Sequence, residues 1–122
     1  SLRAEDAAKM AGCGVDAVWV SNHAGRQFDA APATIEALPK VRAATDLPVI
    51  FDSGIEGGLD VMRALALGAD FVMLGRAWHY GLAAFGAKGL PHVAEIFEKD
   101  LIANMQQIGA QCLADLRGRA FV

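Results

Sequence analysis

A histidine and an arginine lie three residues apart in the segment SNHAGRQFD, at residues 21–29. Histidine is the side chain that most often acts as a general acid or base in catalysis, so His23 could take or give a proton in a reaction. Arg26 carries a planar guanidinium that can hold a carboxylate through two parallel hydrogen bonds. A lone histidine after a strand is more often a structural residue. Arg26, however, could bind the carboxylate of a small organic acid beside this histidine. The pair therefore favours removal of a proton from such an acid.

Two glycine-containing segments predict a site for a phosphate group. DSGIEGG, at residues 52–58, and the pair Gly75-Arg76 each follow a short apolar run. Glycines before a helix leave backbone amides uncovered near the positive end of the helix dipole, which attracts an anion. Each segment alone could be a simple turn. Together, after neighbouring strands, they are typical of the phosphate grip of a βα barrel.

The elements that would position these residues alternate between helix and strand. Apolar residues at helical spacing predict helices from Ala4, Pro32, Leu59 and Pro91, and across most of the chain after Arg76. The apolar runs AVWV, LPVIF and DFVML are predicted strands. Continuous apolar strands separated by helices are typical of a parallel sheet. Since all the polar segments follow the strands, the sequence predicts an α/β fold with its site at the carboxyl ends of the strands.

Two further predictions concern packing. The strand residues Trp19, Phe51 and Phe71 are predicted to lie in the core. Pro39 lies within the second predicted helix and is expected to split or kink it.

Composition and charge argue against several classes of protein. The formal net charge of −3 over 122 residues disfavours a nucleic-acid or anionic-membrane surface. The chain has neither an apolar run of about 18 residues nor a basic-then-apolar leader, which predicts a soluble, non-secreted protein. Cys13 and Cys112 lie in unrelated segments without metal-ligand spacing. They are predicted to be buried free thiols, and no metal site is expected.

Five segments occur in the order and spacing of a known family: SNHAGRQFD, PATIEALP, DSGIEGGLDV, ALALGADFV and LGR. They closely resemble the carboxyl-terminal part of the FMN-dependent L-2-hydroxy acid dehydrogenases and oxidases. DSGI-x-x-GLDV followed by LGRA is most similar to the bacterial respiratory L-lactate dehydrogenases. The resemblance covers essentially the whole chain. It implies an FMN enzyme that oxidises L-lactate or a related L-2-hydroxy acid to the 2-oxo acid.

The resemblance also implies a role for each candidate residue. His23 would be the catalytic base that takes a proton from the hydroxy acid, and Arg26 would hold the substrate carboxylate. The residues implied to line the ribityl phosphate of FMN are Asp52, Ser53, Gly54, Gly75 and Arg76. The flavin would carry the redox chemistry.

The family fold is a TIM (β/α)8 barrel with eight βα units in roughly 250 residues. The resemblance therefore implies that residues 1–122 are the carboxyl-terminal portion of a single FMN-binding barrel domain. This portion would hold about three βα units with parallel strands, plus terminal helices, and would be inactive without the rest of the enzyme. The expected partners are the 2-hydroxy acid, a quinone, cytochrome or oxygen as electron acceptor, and further copies of the same protein. The expected location is the cytoplasm, or peripherally the inner face of the cell membrane.

Two residues depart from the family pattern. Ala24 stands where the family usually has glycine, which predicts a backbone that avoids left-handed angles there. Glu56 stands where the family commonly has arginine, so it is expected to point away from a bound phosphate, or the phosphate to rest on Arg76 and backbone amides.

Two alternative functions remain open. One is a non-catalytic, self-associating half-barrel that binds phosphate. The other is a different FMN or phosphate barrel enzyme, against which the SNH-x-x-RQ pattern argues.

Overall fold

The computed structural model describes residues 1–119, which form alternating helices and parallel strands. The helices are α1 (Ala4–Ala11), α2 (Thr34–Ala43), α3 (Gly58–Ala66), α4 (Arg76–Phe85) and α5 (Gly89–Gln107), and the strands are β1 (Val18–Val20), β2 (Val49–Phe51) and β3 (Phe71–Val72). Short 3-10 turns occupy His23–Gly25, Gly86–Lys88 and Leu113–Leu116. The predicted order of elements is confirmed.

The three strands form one parallel sheet in the order β1-β2-β3. Val18 pairs with Val49 and Val20 with Phe51, and Ile50 pairs with Phe71 on the next strand. All three strands therefore end at the same edge of the sheet. The loops that follow them lie side by side there.

Helix ends follow the local sequence. A glycine at 68 with φ of 110° follows the end of α3, in a conformation that a Cβ would disfavour. Helix α2 begins at Thr34 rather than Pro32, and it continues through Pro39 to Ala43. Pro39 was predicted to split or kink this helix, and the prediction of a split is wrong. Proline removes one amide donor, but Leu38 and Val41 on the same helix are fully buried against the sheet and hold it in place.

One face of the sheet carries the main core. Val18, Val20, Val49 and Phe51 are at most 1% exposed. They pack against helix residues Ala7, Leu38, Val41 and Ala64. Full burial of a side chain the size of valine or phenylalanine contributes about 1.5–3 kcal/mol. This face therefore accounts for much of the stability of the sheet.

The opposite face of the sheet is open. Trp19 is 46% exposed and Phe71 is 62% exposed, and both are in register with Ile50. The prediction that Trp19 and Phe71 are core residues is therefore wrong for this chain, whereas it is confirmed for Phe51. Strand alternation sends Trp19 and Phe71 to the face away from α1, α2 and α3, where the described residues provide little cover.

A second, smaller core joins α3 to the end of the chain. Met62 and Ala66 on α3 pack with Met105, Ala110 and Leu116. Helix α5 comes very close to α3 here, because a Cβ built at Gly58 would lie 2.1 Å from the backbone nitrogen of Leu101. Only glycine fits at position 58 without separating the two helices.

Two other expectations can be compared with the structure. Cys13 and Cys112 are free thiols, but both are exposed rather than buried. Over residues 1–119, no helix combines the length and apolar character needed to cross a bilayer.

Candidate functional site

The seven residues singled out from the sequence surround one cleft at the carboxyl edge of the sheet. The cleft has a volume of about 630 Å³. Its lining includes His23, Arg26, Asp52, Ser53, Gly54, Gly75 and Arg76. The structure thus brings together side chains from the loops after all three strands. Such a concave site, with a few convergent polar groups, is what small-molecule binding sites require.

His23 begins a tight turn with an unusual backbone. The φ angles are 55° at His23 and 56° at Ala24, and Gly25 continues the turn at 72°. The prediction that Ala24 avoids left-handed angles is therefore wrong. Each non-glycine residue in this region costs roughly 1–2 kcal/mol relative to a right-handed conformation. Strain of this kind persists only where surrounding contacts enforce it, and it is concentrated at functional sites.

Hydrogen bonds within the first loop enforce part of this turn. The amide of His23 donates to Oγ of Ser21 at 3.1 Å, and the amide of Arg26 donates to the carbonyl of His23 at 3.2 Å. The amide side chain of Asn22 donates to the carbonyl of Pro32 at 3.1 Å, which ties the start of the loop to its end. His23 and Arg26 therefore project from an ordered turn.

Ser53 connects this turn to the next loop. The amide of Ala24 donates to Oγ of Ser53 at 3.1 Å, and that hydroxyl lies 2.5 Å from Oδ1 of Asp52, to which it donates. The buried hydroxyl of Thr34 donates to the carbonyl of Ser53 at 3.0 Å. Ser53 itself has a φ of 75°. The hydroxyl of Ser53 is thus already committed within the protein.

The amino end of α3 already holds an anion from the protein itself. A carboxylate oxygen of Asp100, on α5, accepts the amide of Gly58 at 2.6 Å and the amide of Leu59 at 3.2 Å. Asp60 accepts the amide of Glu56 at 3.1 Å. The prediction that the glycines of DSGIEGG leave these amides open is therefore wrong at Gly58. The helix dipole of α3 is satisfied by Asp100.

The amino end of α4 is different. Gly75 precedes the helix, and no side chain within residues 1–119 caps it. A Cβ at Gly75 would meet nothing within 4 Å, so the backbone there is open to the cleft. Arg76, the first residue of the helix, adds a guanidinium. Of the helix ends at α3 and α4, only that of α4 is free to bind an anion.

Glu56 lies beside this helix end. Its Oε1 is 3.7 Å from the guanidinium of Arg76, and the two side chains are 77% and 61% exposed. The Glu56 side chain is therefore exposed and pairs with Arg76, and its orientation relative to a bound phosphate stays a prediction. An ion pair between two exposed groups of this kind contributes about 0–1 kcal/mol.

Among the lining residues that were not predicted from the sequence, three carry ring side chains, namely Trp19, His79 and Tyr80. Nδ1 of His79 lies 3.0 Å from the carbonyl of Gly75. His79 lies one helical turn after Gly75, so helical spacing from the glycine could have indicated it. Trp19 was assigned to the core and reaches the cleft only because its face of the sheet is open.

A second cavity, of about 460 Å³, lies between the first two loops. Asn22, Asp29, Asp60 and Arg63 line it, and it shares Ser53 with the larger cleft. Within residues 1–119 the buried Oδ1 of Asn22 accepts no hydrogen bond. No group of three or more histidine, cysteine, aspartate or glutamate side chains in this part of the chain is arranged to hold a metal ion.

A parallel α/β sheet whose strand ends carry an imidazole, two guanidinium groups and a free helix end is typical of barrel-type α/β proteins, which place their ligand sites at this edge. Comparison with known sequences then identifies the family. The chain belongs to the FMN-dependent dehydrogenase family, whose profile matches residues 2–122.

Individual relatives are similar over nearly all of the chain. An L-lactate dehydrogenase of Chromohalobacter salexigens is 44% identical, over 99% of this chain and 31% of its own length. An L-lactate oxidase of Lactobacillus jensenii is 45% identical, over 95% of this chain and 29% of its own length. A solved structure of the monotopic membrane protein (S)-mandelate dehydrogenase superposes with a TM-score of 0.93 at 44% identity, over 96% of this chain and 31% of its own.

The comparisons confirm the predicted fold class. The sheet and its helices are the carboxyl-terminal portion of a TIM (β/α)8 barrel, with three parallel βα units followed by terminal helices. The chain spans about a third of the length of the relatives it matches.

Proposed function

We propose that this chain supplies the catalytic base, the carboxylate clamp and the phosphate grip of an FMN-dependent enzyme. The enzyme oxidises L-lactate, or a related L-2-hydroxy acid, to the 2-oxo acid. The observation that carries the proposal is the single cleft lined by His23, Arg26 and Arg76 next to the free amino end of α4. Membership of the FMN-dependent dehydrogenase family supports it.

Two side chains act on the substrate in this proposal. Arg26 binds the carboxylate through a two-point contact, which fixes the orientation of the neighbouring carbinol carbon. His23 takes the hydroxyl proton and holds it as an imidazolium. When bound, FMN supplies the redox chemistry by accepting the hydride equivalent from that carbon. The ordered turn at residues 23–25 holds His23 and Arg26 in fixed positions relative to each other.

The cofactor phosphate fits at the amino end of α4. There a dianion meets the guanidinium of Arg76, uncapped amides and a backbone without side-chain obstruction at Gly75. The amino end of α3 does not fit, because Asp100 already occupies it and would repel a phosphate. Gly54, Ser53 and Asp52 also line the cleft.

The proposal extends to the partners and the location of the enzyme. A quinone, a cytochrome or oxygen accepts the electrons, and hydrogen peroxide release in air distinguishes oxygen from the other two. We infer a homo-oligomer that lies in the cytoplasm or peripherally on the inner face of the cell membrane. The proposed substrate and acceptors require no nucleic acid.

The test uses a completed barrel, in which this chain replaces the matched third of the L-lactate dehydrogenase relative. We expect the purified protein to be yellow and to lose its flavin absorbance when L-lactate is added without oxygen. D-lactate is the control and should leave the absorbance unchanged. A yellow protein that L-lactate, L-mandelate and glycolate all fail to bleach would contradict the proposal. A colourless protein that binds inorganic phosphate would favour the non-catalytic alternative.

A further inference from the structure

Ser53 is the point at which the first two loops are joined. It accepts the amide of Ala24 at its Oγ and the hydroxyl of Thr34 at its carbonyl, at 3.1 Å and 3.0 Å. Ala24 and Thr34 lie near the two ends of the loop that carries His23 and Arg26. A single residue after β2 therefore holds both ends of the loop after β1.

The hydroxyl of Ser53 has a defined orientation. A serine hydroxyl has one hydrogen to donate and two lone pairs to accept with. The hydrogen goes to Oδ1 of Asp52 at 2.5 Å, so a lone pair must face the amide of Ala24. Because its only hydrogen is used, this hydroxyl cannot also donate to a cofactor phosphate. Ser53 is thus better suited to hold the protein than to bind the ligand.

The contact falls where the backbone is under strain. His23 and Ala24 both lie at positive φ, at 55° and 56°, although neither is glycine. Within residues 1–119, the hydrogen bond from the Ala24 amide is the one that joins this turn to a residue outside its own loop. Without it, the turn would be free to relax toward a less costly conformation and carry the imidazole with it.

We propose that Ser53, held by Asp52, is a positioning residue that fixes the left-handed turn at Ala24 and so places the imidazole of His23 in the cleft. This inference deepens the proposed function and rests on it for the role of His23. It differs from the role that the family resemblance implies, in which Ser53 contacts the FMN phosphate. The two roles predict different consequences when the hydroxyl is removed.

The first experiment measures the contact itself, in the 122-residue chain without flavin. Ser53→Gly removes the hydroxyl while glycine tolerates the φ of 75°. We expect hydrogen exchange at the Ala24 amide, followed by NMR, to become at least tenfold faster. Thr34→Val is the matched control, since it removes the other bond to Ser53 and should change Ala24 exchange by less than threefold. Equal exchange at Ala24 in Ser53→Gly and the unsubstituted chain would overturn the proposal.

The second experiment separates positioning from cofactor binding in the completed barrel. We expect Ser53→Gly to lower kcat at least tenfold and to change FMN affinity by less than threefold. Adding Ala24→Gly should restore kcat to within threefold, because glycine adopts the left-handed turn without an external hydrogen bond. A parallel fall in FMN affinity and kcat, with no rescue by Ala24→Gly, would show instead that Ser53 is a cofactor contact. Failure of the unsubstituted barrel to oxidise any hydroxy acid would contradict the proposed function, while the exchange measurement would still decide whether Ser53 holds the turn.

Discussion

The carboxylate of Asp100 accepts a hydrogen bond from the amide of Gly58 at 2.6 Å, across a separation of 42 residues in the sequence. This bond fixes α5 to the amino end of α3, where the two helices are in backbone contact. It also fills the amino end of α3 with a carboxylate of the protein itself. The amino end of α4 has no such side-chain partner within residues 1–119.

Replacing Asp100 should therefore destabilise the fold. We expect Asp100→Ala to lower the free energy of unfolding by about 1–2 kcal/mol, the usual effect of removing a side chain that caps a helix. Urea denaturation followed by circular dichroism measures the change. Glu98→Ala, which removes another carboxylate from α5, is the control and should cost less than about 0.5 kcal/mol. Equal losses of unfolding free energy in the two variants would show that the hydrogen bond to Gly58 does not stabilise the fold.

The stability of the fold should depend on pH through Asp70. Its carboxylate accepts the amide of Val49 at 2.9 Å and pairs with Arg42 at 3.1 Å and with Arg117. Burial alone would raise the pKa of Asp70, but the Val49 amide and the two guanidinium groups outweigh it and lower the pKa. Stability from this group is then fully present above the ordinary aspartate value of about 3.9. It is lost as the pH falls through the lower pKa of the folded state.

Asp70→Asn tests this dependence. The variant should be less stable at pH 7 and should lose less stability than the unsubstituted chain between pH 5 and pH 2. Urea midpoints across this pH range give the comparison. Asp16→Asn, at an exposed carboxylate, serves as the control. If the urea midpoint falls equally between pH 5 and pH 2 with and without Asp70, other groups cause the pH dependence.

His23→Gln in the completed barrel should retain flavin but lose turnover. Glutamine preserves much of the size and polarity of the side chain, but it cannot take the hydroxyl proton. We expect kcat with L-lactate to fall by a factor of about 10²–10⁴. Flavin absorbance reports cofactor content, and single-turnover bleaching reports the chemical step. Turnover close to normal would remove His23 from the mechanism.

Arg76 and Glu56 should affect FMN affinity unequally. Arg76→Ala removes a charge-assisted contact to the phosphate and should weaken binding by more than tenfold. Glu56→Gln removes only an exposed partner of Arg76, so it should tighten binding by less than tenfold, or about 1.4 kcal/mol. Fluorescence titration of the apoprotein with FMN measures both. A strong effect at Glu56 with none at Arg76 would place the phosphate elsewhere.

The isolated chain should self-associate through the open face of the sheet. Trp19 and Phe71 expose apolar surface in one row with Ile50. Within residues 1–119 no further strand pairs with the outer edge of β3. We expect Phe71→Lys to shift sedimentation velocity at micromolar concentration toward the monomer. Phe85→Lys is the control, because Phe85 is equally exposed, at 64%, but lies on α4 away from the sheet. A stable monomer before any substitution would contradict the prediction.

Local signals predicted the elements well. The apolar runs marked all three strands, because strand formation here depends on neighbouring residues. The glycine-rich ends and the SNHAGRQFD segment were predicted to meet at the carboxyl edge of the sheet, and they line one cleft there. The position of each candidate residue around one cleft followed from parallel topology alone.

The errors concern contacts between distant residues. Trp19 has the character of a core residue, but its burial depends on what faces it across the sheet. The bond from Gly58 to Asp100 joins two segments with no shared sequence pattern, so the filled helix end could not be foreseen. The backbone at Ala24 was mispredicted because propensity excludes left-handed alanine, whereas a hydrogen bond to Ser53 supports it.

The bond between Ala24 and Ser53 has a consequence for how such enzymes can be recombined. When genes of two relatives are shuffled, a crossover between positions 24 and 53 inherits the two residues from different parents. The turn that carries His23 then packs against a residue 53 from the other parent. A crossover between positions 53 and 75 keeps the loops after β1 and β2 from one parent. It exchanges only the part of the chain that begins with the loop after β3. Recombination experiments that seek new substrate preferences in this family should accordingly transfer residues 21–53 together.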